Sequence, residues 1–80
     1  MRILIVEDDP EMGRLIERGL RADGYDTVAV DNGVDALIAL ARDEFALAAI
    51  DVMLPRMSGF EVCRRIRESG STMPVLLLTA

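Results

Sequence analysis

Histidine and lysine are both missing from this sequence of 80 residues, and all nine of its basic side chains are arginines. These absences exclude, within the chain, a histidine base, a histidine-ligated metal, a Schiff-base lysine and a lysine-containing P-loop. Only one cysteine is present, so an internal disulfide is excluded as well. Its position, Cys63, falls in a helical pattern, which predicts a small buried hydrophobe rather than a reactive thiol.

Positive charge is scarce, since the net charge is −5 and the only basic cluster is Arg64, Arg65 and Arg67. This charge balance argues against binding to a nucleic-acid backbone, so DNA contact would require another segment.

No apolar run approaches the length of a membrane span, and the N-terminus enters a strand directly instead of a signal-peptide pattern. We therefore expect a cytoplasmic protein with no membrane partner. Its length allows one domain at most, with a barely sufficient core.

Strand-like and helix-like patterns alternate strictly along the chain. Aliphatic runs predict strands at 2–6, 27–30, 47–50 and 75–78, and three helical patterns lie between them. Such alternation with short connections favours right-handed crossovers and a parallel sheet, that is, an α/β fold.

Capping residues and apolar stripes define the three helices. Asp9 with Pro10, Asn32-Gly33 and the capping box Ser58–Glu61 mark their starts, and Gly24 and Gly70 mark two of their ends. Glu61 and Arg65 have the spacing of an i, i+4 ion pair. The stripes predicted to face inward are Met12, Leu15, Ile16, Gly19 and Leu20 in the first helix and Val34, Leu37, Ile38 and Ala41 in the second.

Acidic residues follow two of the predicted strands directly. Glu7, Asp8 and Asp9 come after the first strand, and Asp51 comes after the third. If these strands are parallel, their carboxyl ends lie on the edge where open α/β sheets hold ligands, so several carboxylates share one cleft. Carboxylates that close together raise one another's pKa unless a cation joins them, and hard oxygen ligands suit Mg²⁺. The sequence therefore predicts a divalent-cation site.

Three strings together resemble the receiver domain of two-component response regulators. They are Ile3–Asp9 (ILIVEDD), Ile50–Gly59 (IDVMLPRMSG) and Val75–Ala80 (VLLLTA), in the family's order and at its separations. The Met-Leu-Pro loop most resembles the class that carries a winged-helix DNA-binding domain downstream. The resemblance implies a flavodoxin-like, doubly wound parallel sheet of order 2-1-3-4. Residues 1–80 would then be an N-terminal fragment of the domain, without the family's fifth strand and last two helices.

The resemblance also implies a role for each matching residue. Asp51 would be the phosphoacceptor for a phosphoryl group from a sensor histidine kinase. Asp8, Asp51 and the backbone carbonyl of Met53 would bind Mg²⁺, with Glu7 acting through a coordinated water. Thr79 would sense the phosphate, and an output domain, expected to bind DNA, would respond. The domain would not be an enzyme in the usual sense, although it takes part in its own phosphotransfer and dephosphorylation.

The sequence departs from the family pattern in two ways that matter. No lysine is available to pair with the phosphate, because the family places it on the fifth strand. The strand at 75–78 would also become an apolar edge, which predicts that another copy, a rearranged copy or further residues cover it. Self-association as a dimer or swapped dimer is therefore expected.

Each of these residues also has a simpler interpretation when taken alone. The acids Glu7, Asp8 and Asp9 suit any helix start, Asp51 could be a loop acid, and Thr79 an ordinary strand residue. Their combination at strand ends favours the shared site. Two alternative functions remain, namely an interaction module of the same fold that takes no phosphate and a metal-dependent phosphohydrolase. The second would usually carry a further acid two residues after its nucleophile, where this chain has Met53.

Overall fold

A computed structural model describes residues 1–79, so Ala80, the last residue of the third string, lies outside the described part. Strands and helices alternate as the sequence predicts, with bounds that differ from the predicted ones by about one residue. The elements are β1 (Arg2–Val6), α1 (Pro10–Ala22), β2 (Asp26–Val30), α2 (Gly33–Arg42), β3 (Leu47–Asp51), α3 (Gly59–Glu68) and β4 (Val75–Leu78).

The strands form one parallel sheet of order β2-β1-β3-β4, which confirms the predicted order 2-1-3-4. Val6 of β1 is in register with Val30 of β2 and with Ile50 of β3. Asp51 of β3 is in register with Leu78 of β4. All strands therefore end along one edge, at nearly the same level.

Helices cover the two faces of the sheet unequally. The face that carries Leu4 and Val6 packs against both α2 and α3, and it forms the main core, whose buried members are Leu4, Val6, Ala36, Ala48, Ile50, Val62 and Ile66. The opposite face is covered by α1, which lies over β1 and β2. Leu76 of β4 remains 53% exposed on that side, within the part of the chain described.

The predicted inward stripe of α1 is wrong in part. Met12 and Leu15 are 43% and 60% exposed, while the buried residue of the helix is Gly13. The helix is turned so that Gly13 and, one turn on, Glu17 face the sheet, and the Glu17 carboxylate accepts a hydrogen bond from Thr27 Oγ1 at 2.9 Å. Ile16 and Leu20 of the predicted stripe are half-buried, and apolar spacing alone could not predict that Glu17 also faces β2.

The predicted inward face of α2 is also wrong in part, although Leu37 packs against the core as predicted. Val34 and Ile38 are 57% and 45% exposed, whereas Ala36 is fully buried. Gly33, the first residue of α2, lies so close to α3 that a Cβ would sit 2.8 Å from Val62 Cγ2. That approach rotates the helix until Gly33 and Ala36 face inward and Val34 faces solvent.

Local signals at the helix ends are confirmed. The side chains of Asp9, Asn32 and Ser58 accept backbone N–H groups at the starts of the three helices. Gly24 and Gly70 have φ values of 92° and 89°, the left-handed conformation of a glycine just past a helix end. Cys63 is half-buried and free. No helix among residues 1–79 is long and apolar enough to cross a membrane.

The loop after β3 contains a strained turn centred on Arg56. Its φ is 66°, and Met57 N–H donates to the carbonyl of Pro55 at 2.7 Å, the i to i+2 bond of a γ-turn. A side chain in this region of conformational space costs roughly 1–2 kcal/mol. The Arg56 side chain is exposed, so little packing offsets that cost.

Replacing Arg56 by glycine is therefore expected to stabilise the protein. The gain should be up to about 1 kcal/mol, because relief of the left-handed strain exceeds the extra entropy of glycine in the unfolded chain. Urea denaturation would measure it. The control is Arg56→Ala, which removes the same charge but keeps a Cβ. An equal gain for both variants would show that the charge, and not the backbone, is responsible.

Candidate functional site

Three carboxylates converge at the carboxyl edge of the sheet. Glu7 and Asp8 follow β1 directly, and Asp51 ends the neighbouring strand β3. One carboxylate oxygen of each lies within 4.8 Å of those of the other two. Because β1 and β3 are paired in register up to their last residues, the sequence prediction that these acids share one cleft follows directly from the sheet.

Backbone N–H groups hold two of the three carboxylates in place. Met53 N–H donates to Asp51 Oδ1 at 3.0 Å, and Asp9 N–H donates to Glu7 Oε2 at 3.3 Å. The main chain of Glu7 is fixed in turn, since its N–H donates to the carbonyl of Val30 at 3.1 Å. One oxygen of Asp51 thus has a backbone donor within the loop that follows β3.

The carboxylates open into a shallow pocket of about 380 Å³. Its lining brings together all the residues to which the resemblance gives a role, with a further acid, a methionine and two aliphatics beside them: Glu7, Asp8, Asp9, Met12, Ile16, Asp51, Met53, Leu78 and Thr79. Thr79 is exposed and follows the end of β4, next to Asp51 across the sheet. The pocket is therefore lined by acidic side chains together with one residue that carries a hydroxyl group, Thr79.

Burial and the neighbouring acid make Glu7 an unusual carboxyl group. Partial burial, together with a hydrogen bond to Asp51 and the repulsion of its charge, raises the pKa of Glu7 from 4.5 to about 7. The Asp9 N–H opposes this rise. At neutral pH and without a cation, the cluster therefore holds a proton part of the time, as expected for crowded carboxylates.

The donor set fits a small divalent cation. All three side chains offer carboxylate oxygens, and the backbone carbonyl of Met53 is a fourth donor on the adjacent loop. Oxygens on opposite sides of a bound Mg²⁺ are ~4 Å apart, so small side-chain rotations from the present spacing would suffice. Nitrogen and sulfur ligands, which other metals prefer, are absent from the cluster.

Asp9, the third acid of the N-terminal run, has a structural task instead. Its Oδ1 accepts hydrogen bonds from the N–H groups of Glu11 and Met12 at 3.0 and 3.4 Å, which caps α1, and Asp9 is not among the clustered acids.

Asp9→Ala should lower the free energy of unfolding by about 1 kcal/mol in urea denaturation, whereas Asp9→Asn, which keeps the cap, should cost little. A large loss of Mg²⁺ affinity in Asp9→Asn would instead make Asp9 a ligand.

Sequence reasoning missed the backbone contacts that hold the end of β3. Val52 N–H donates to the carbonyl of Leu78, and Gly59 N–H donates to the carbonyl of Val52, both at 3.0 Å. The one available signal was a glycine at the first position of α3, where most residues form helix better. Gly59 is the last residue of the string Ile50–Gly59, but the spacing of the sequence alone did not indicate a role for it.

Fold and site together define a class of protein: an open, doubly wound α/β protein with three carboxylates clustered at the carboxyl edge of its sheet. Comparison with known proteins narrows this class. Residues 3–80 match the family described as the response regulator receiver domain. Because this match spans nearly the whole chain, the protein belongs to that family.

Two curated relatives illustrate the similarity. The chain is 44% identical over 80 residues to the response regulator MprA of Mycobacterium leprae. It is also 44% identical over 79 residues to the transcriptional regulatory protein PcoR of Escherichia coli. These matches include 100% and 99% of this chain but only 35% of each relative, so the chain spans about a third of their length.

Solved structures support the same fold. The response regulator TrrA of Thermotoga maritima, crystallised in complex with Mg²⁺ and BeF, is 34% identical, with a TM-score of 0.95. A second structure holds TrrA in complex with the histidine kinase ThkA, with a TM-score of 0.93 and 34% identity. The matches cover 99% of this chain and 69% and 68% of the TrrA chains.

Proposed function

We propose that the chain is a phosphorylatable receiver in which Asp51 accepts a phosphoryl group from a sensor histidine kinase, with Mg²⁺ as cofactor. The observation that supports this most is the cluster of Glu7, Asp8 and Asp51 oxygens within 4.8 Å at the carboxyl edge. Asp51 is the acid of the cluster on β3, and it lies beside the end of β4 and Thr79. The relation of TrrA to a kinase and to Mg²⁺ is consistent with the proposal.

In the proposed reaction, a carboxylate oxygen of Asp51 attacks phosphorus as the bond from phosphorus to the kinase histidine breaks. Met53 N–H donates to Oδ1 and so fixes the rotamer of Asp51. The other oxygen is then directed for attack or for metal binding. Thr79 lines the same pocket, where its hydroxyl would donate to a phosphoryl oxygen once Asp51 is modified.

Acidic neighbours pose an electrostatic problem, because an anionic nucleophile must meet an anionic phosphoryl group. Asp8, Asp51 and the Met53 carbonyl would hold Mg²⁺ directly, and Glu7 would hold it through a water. The ion when bound would screen the negative charges and align the oxygens. Partial burial, and then the hydrogen bond and charge of Asp51, raise the pKa of Glu7, and a bound cation would oppose that rise.

The wider roles belong to the same proposal. The domain acts as a phosphoacceptor and not as an enzyme on external substrates, and it controls a downstream, DNA-binding output domain in the cytoplasm. The transcriptional role printed for PcoR is consistent with this output. Self-association as a dimer or swapped dimer remains a prediction that light scattering would test.

The test is incubation of the full-length protein with Mg²⁺ and acetyl phosphate, followed by peptide mapping by mass spectrometry. We expect a phosphate adduct on Asp51 that is absent when Mg²⁺ is chelated. No adduct would leave the interaction module that takes no phosphate. Steady hydrolysis of added phosphoesters without a stable adduct would favour the phosphohydrolase.

A further inference from the structure

We infer that Gly59 is a positioning residue for the phosphoacceptor, because the absence of its side chain lets α3 begin directly against the backbone of Asp51. The inference rests on the proposed function of Asp51 and adds a residue that touches neither phosphate nor metal. Gly59 is buried and is the first residue of α3, eight positions after Asp51 in the sequence.

The close approach involves main chain alone. A Cβ on Gly59 would overlap the carbonyl oxygen of Asp51 and lie 2.9 Å from both the carbonyl carbon of Asp51 and Cα of Val52. Carbon atoms in favourable contact are about 3.5–4.0 Å apart. No side-chain rotation can relieve this overlap, so any other residue at position 59 must separate the start of α3 from the end of β3.

Two backbone hydrogen bonds also hold the segment 51–53 at this contact between Gly59 and Asp51, and we call them the clamp. Gly59 N–H donates to the Val52 carbonyl and Val52 N–H donates to the Leu78 carbonyl. Val52 is thereby tied to α3 on one side and to β4 on the other. The carboxylate of Asp51 and the carbonyl of Met53 flank Val52 directly, so the clamp fixes the relative position of two proposed Mg²⁺ ligands.

Gly33 provides a matched control. It is likewise buried and the first residue of a helix, and a Cβ there would also be too close, at 2.8 Å from Val62 Cγ2 and 3.1 Å from Met57 Sδ. Those atoms belong to side chains, which can shift, whereas the atoms that Gly59 approaches are backbone atoms of Asp51 and Val52. A purely structural role would therefore make Gly33→Ala and Gly59→Ala behave alike, apart from the size of the stability loss.

The experiment compares wild type, Gly59→Ala and Gly33→Ala in the full-length protein. Urea denaturation gives stability, calorimetric titration gives Mg²⁺ affinity, and labelling with acetyl phosphate at saturating Mg²⁺ gives the rate. We expect Gly59→Ala alone to bind Mg²⁺ more weakly and to label at least about tenfold more slowly, since a misplacement of ~1 Å can cost up to a hundredfold. Gly33→Ala should lose stability only.

Two results would overturn the inference. One is a folded Gly59→Ala protein with wild-type Mg²⁺ affinity and rate, and the other is an equal loss of both in the two variants. If the wild type takes no phosphate, the proposed function fails instead. The Mg²⁺ affinities of the two variants then still decide whether Gly59 positions Asp51.

A second pair of variants serves if Gly59→Ala does not fold. Ser58→Ala and Asn32→Ala each remove a helix cap, namely the acceptor of Glu61 N–H at 3.2 Å and of Asp35 N–H at 2.8 Å. Each should cost about 1 kcal/mol of stability. Only Ser58→Ala loosens the helix start that abuts Asp51, so it alone should slow labelling, by roughly twofold or more. Equal rates in the two variants would contradict the clamp.

Discussion

Asp51→Asn is expected to abolish labelling by acetyl phosphate, because the amide lacks the anionic oxygen that attacks phosphorus. The fold should survive, since the asparagine oxygen can still accept the Met53 N–H that now reaches Oδ1 at 3.0 Å. Without Mg²⁺ the variant should be more stable than wild type, because one of three crowded negative charges is removed. Peptide mapping of the labelled protein and urea denaturation measure the two effects.

Asp9→Asn is the matched control for this experiment. It changes a neighbouring acid that lines the same pocket but stands outside the cluster, so labelling should persist. Labelling of Asp51→Asn at position 51 itself, or an adduct on Asp8 or Glu7 in the wild type, would show that the nucleophile is misassigned.

Stability in the absence of Mg²⁺ should fall as the pH rises from about 4.5 to about 7, the interval between the ordinary and the raised pKa of Glu7. In this interval the folded protein binds the proton on Glu7 more tightly than the unfolded chain does. Loss of that proton therefore favours unfolding, by on the order of 2–3 kcal/mol at most, because solvent reaches part of the carboxylate. Urea denaturation at several pH values in chelator measures this slope.

Glu7→Gln is the control for the pH effect, since it keeps the shape of the side chain and removes its titration. The difference in stability between wild type and variant should change across this interval and be constant above it. Mg²⁺ competes with the proton, so its affinity should rise with pH over the same range and its addition should stabilise the wild type. A Glu7→Gln protein with an unchanged slope would mean that another group titrates.

Strand positions and the meeting of the acids were predictable from the sequence because both depend on neighbours along the chain. The run Ile3–Val6 is typical of a strand buried on both faces, and the acid that follows such a strand lies at the carboxyl edge of the sheet. The order of the strands came from the family resemblance, since alternation alone allows other orders. Capping signals at Asp9 and Ser58 are equally local and were also predicted correctly.

Helix rotation and the clamp on Asp51 were not predictable because they depend on single long-range contacts. In α1 Glu17 contacts Thr27 of β2, while Met12 and Leu15 of the apolar stripe are exposed. The capping box is also only half realised. Ser58 accepts Glu61 N–H, but the Glu61 carboxylate pairs with Arg64 and Arg65, which lowers its pKa to about 2.

The close fit between Gly33 and Val62 has a mechanical consequence. Since α2 and α3 are in contact at a residue without a side chain, neither can tilt far without the other, whereas α1 lies on the opposite face of the sheet. If phosphorylation of Asp51 displaced the first turn of α3, α2 would therefore move with it. We expect α1, which lies across the sheet from α3, to be displaced less.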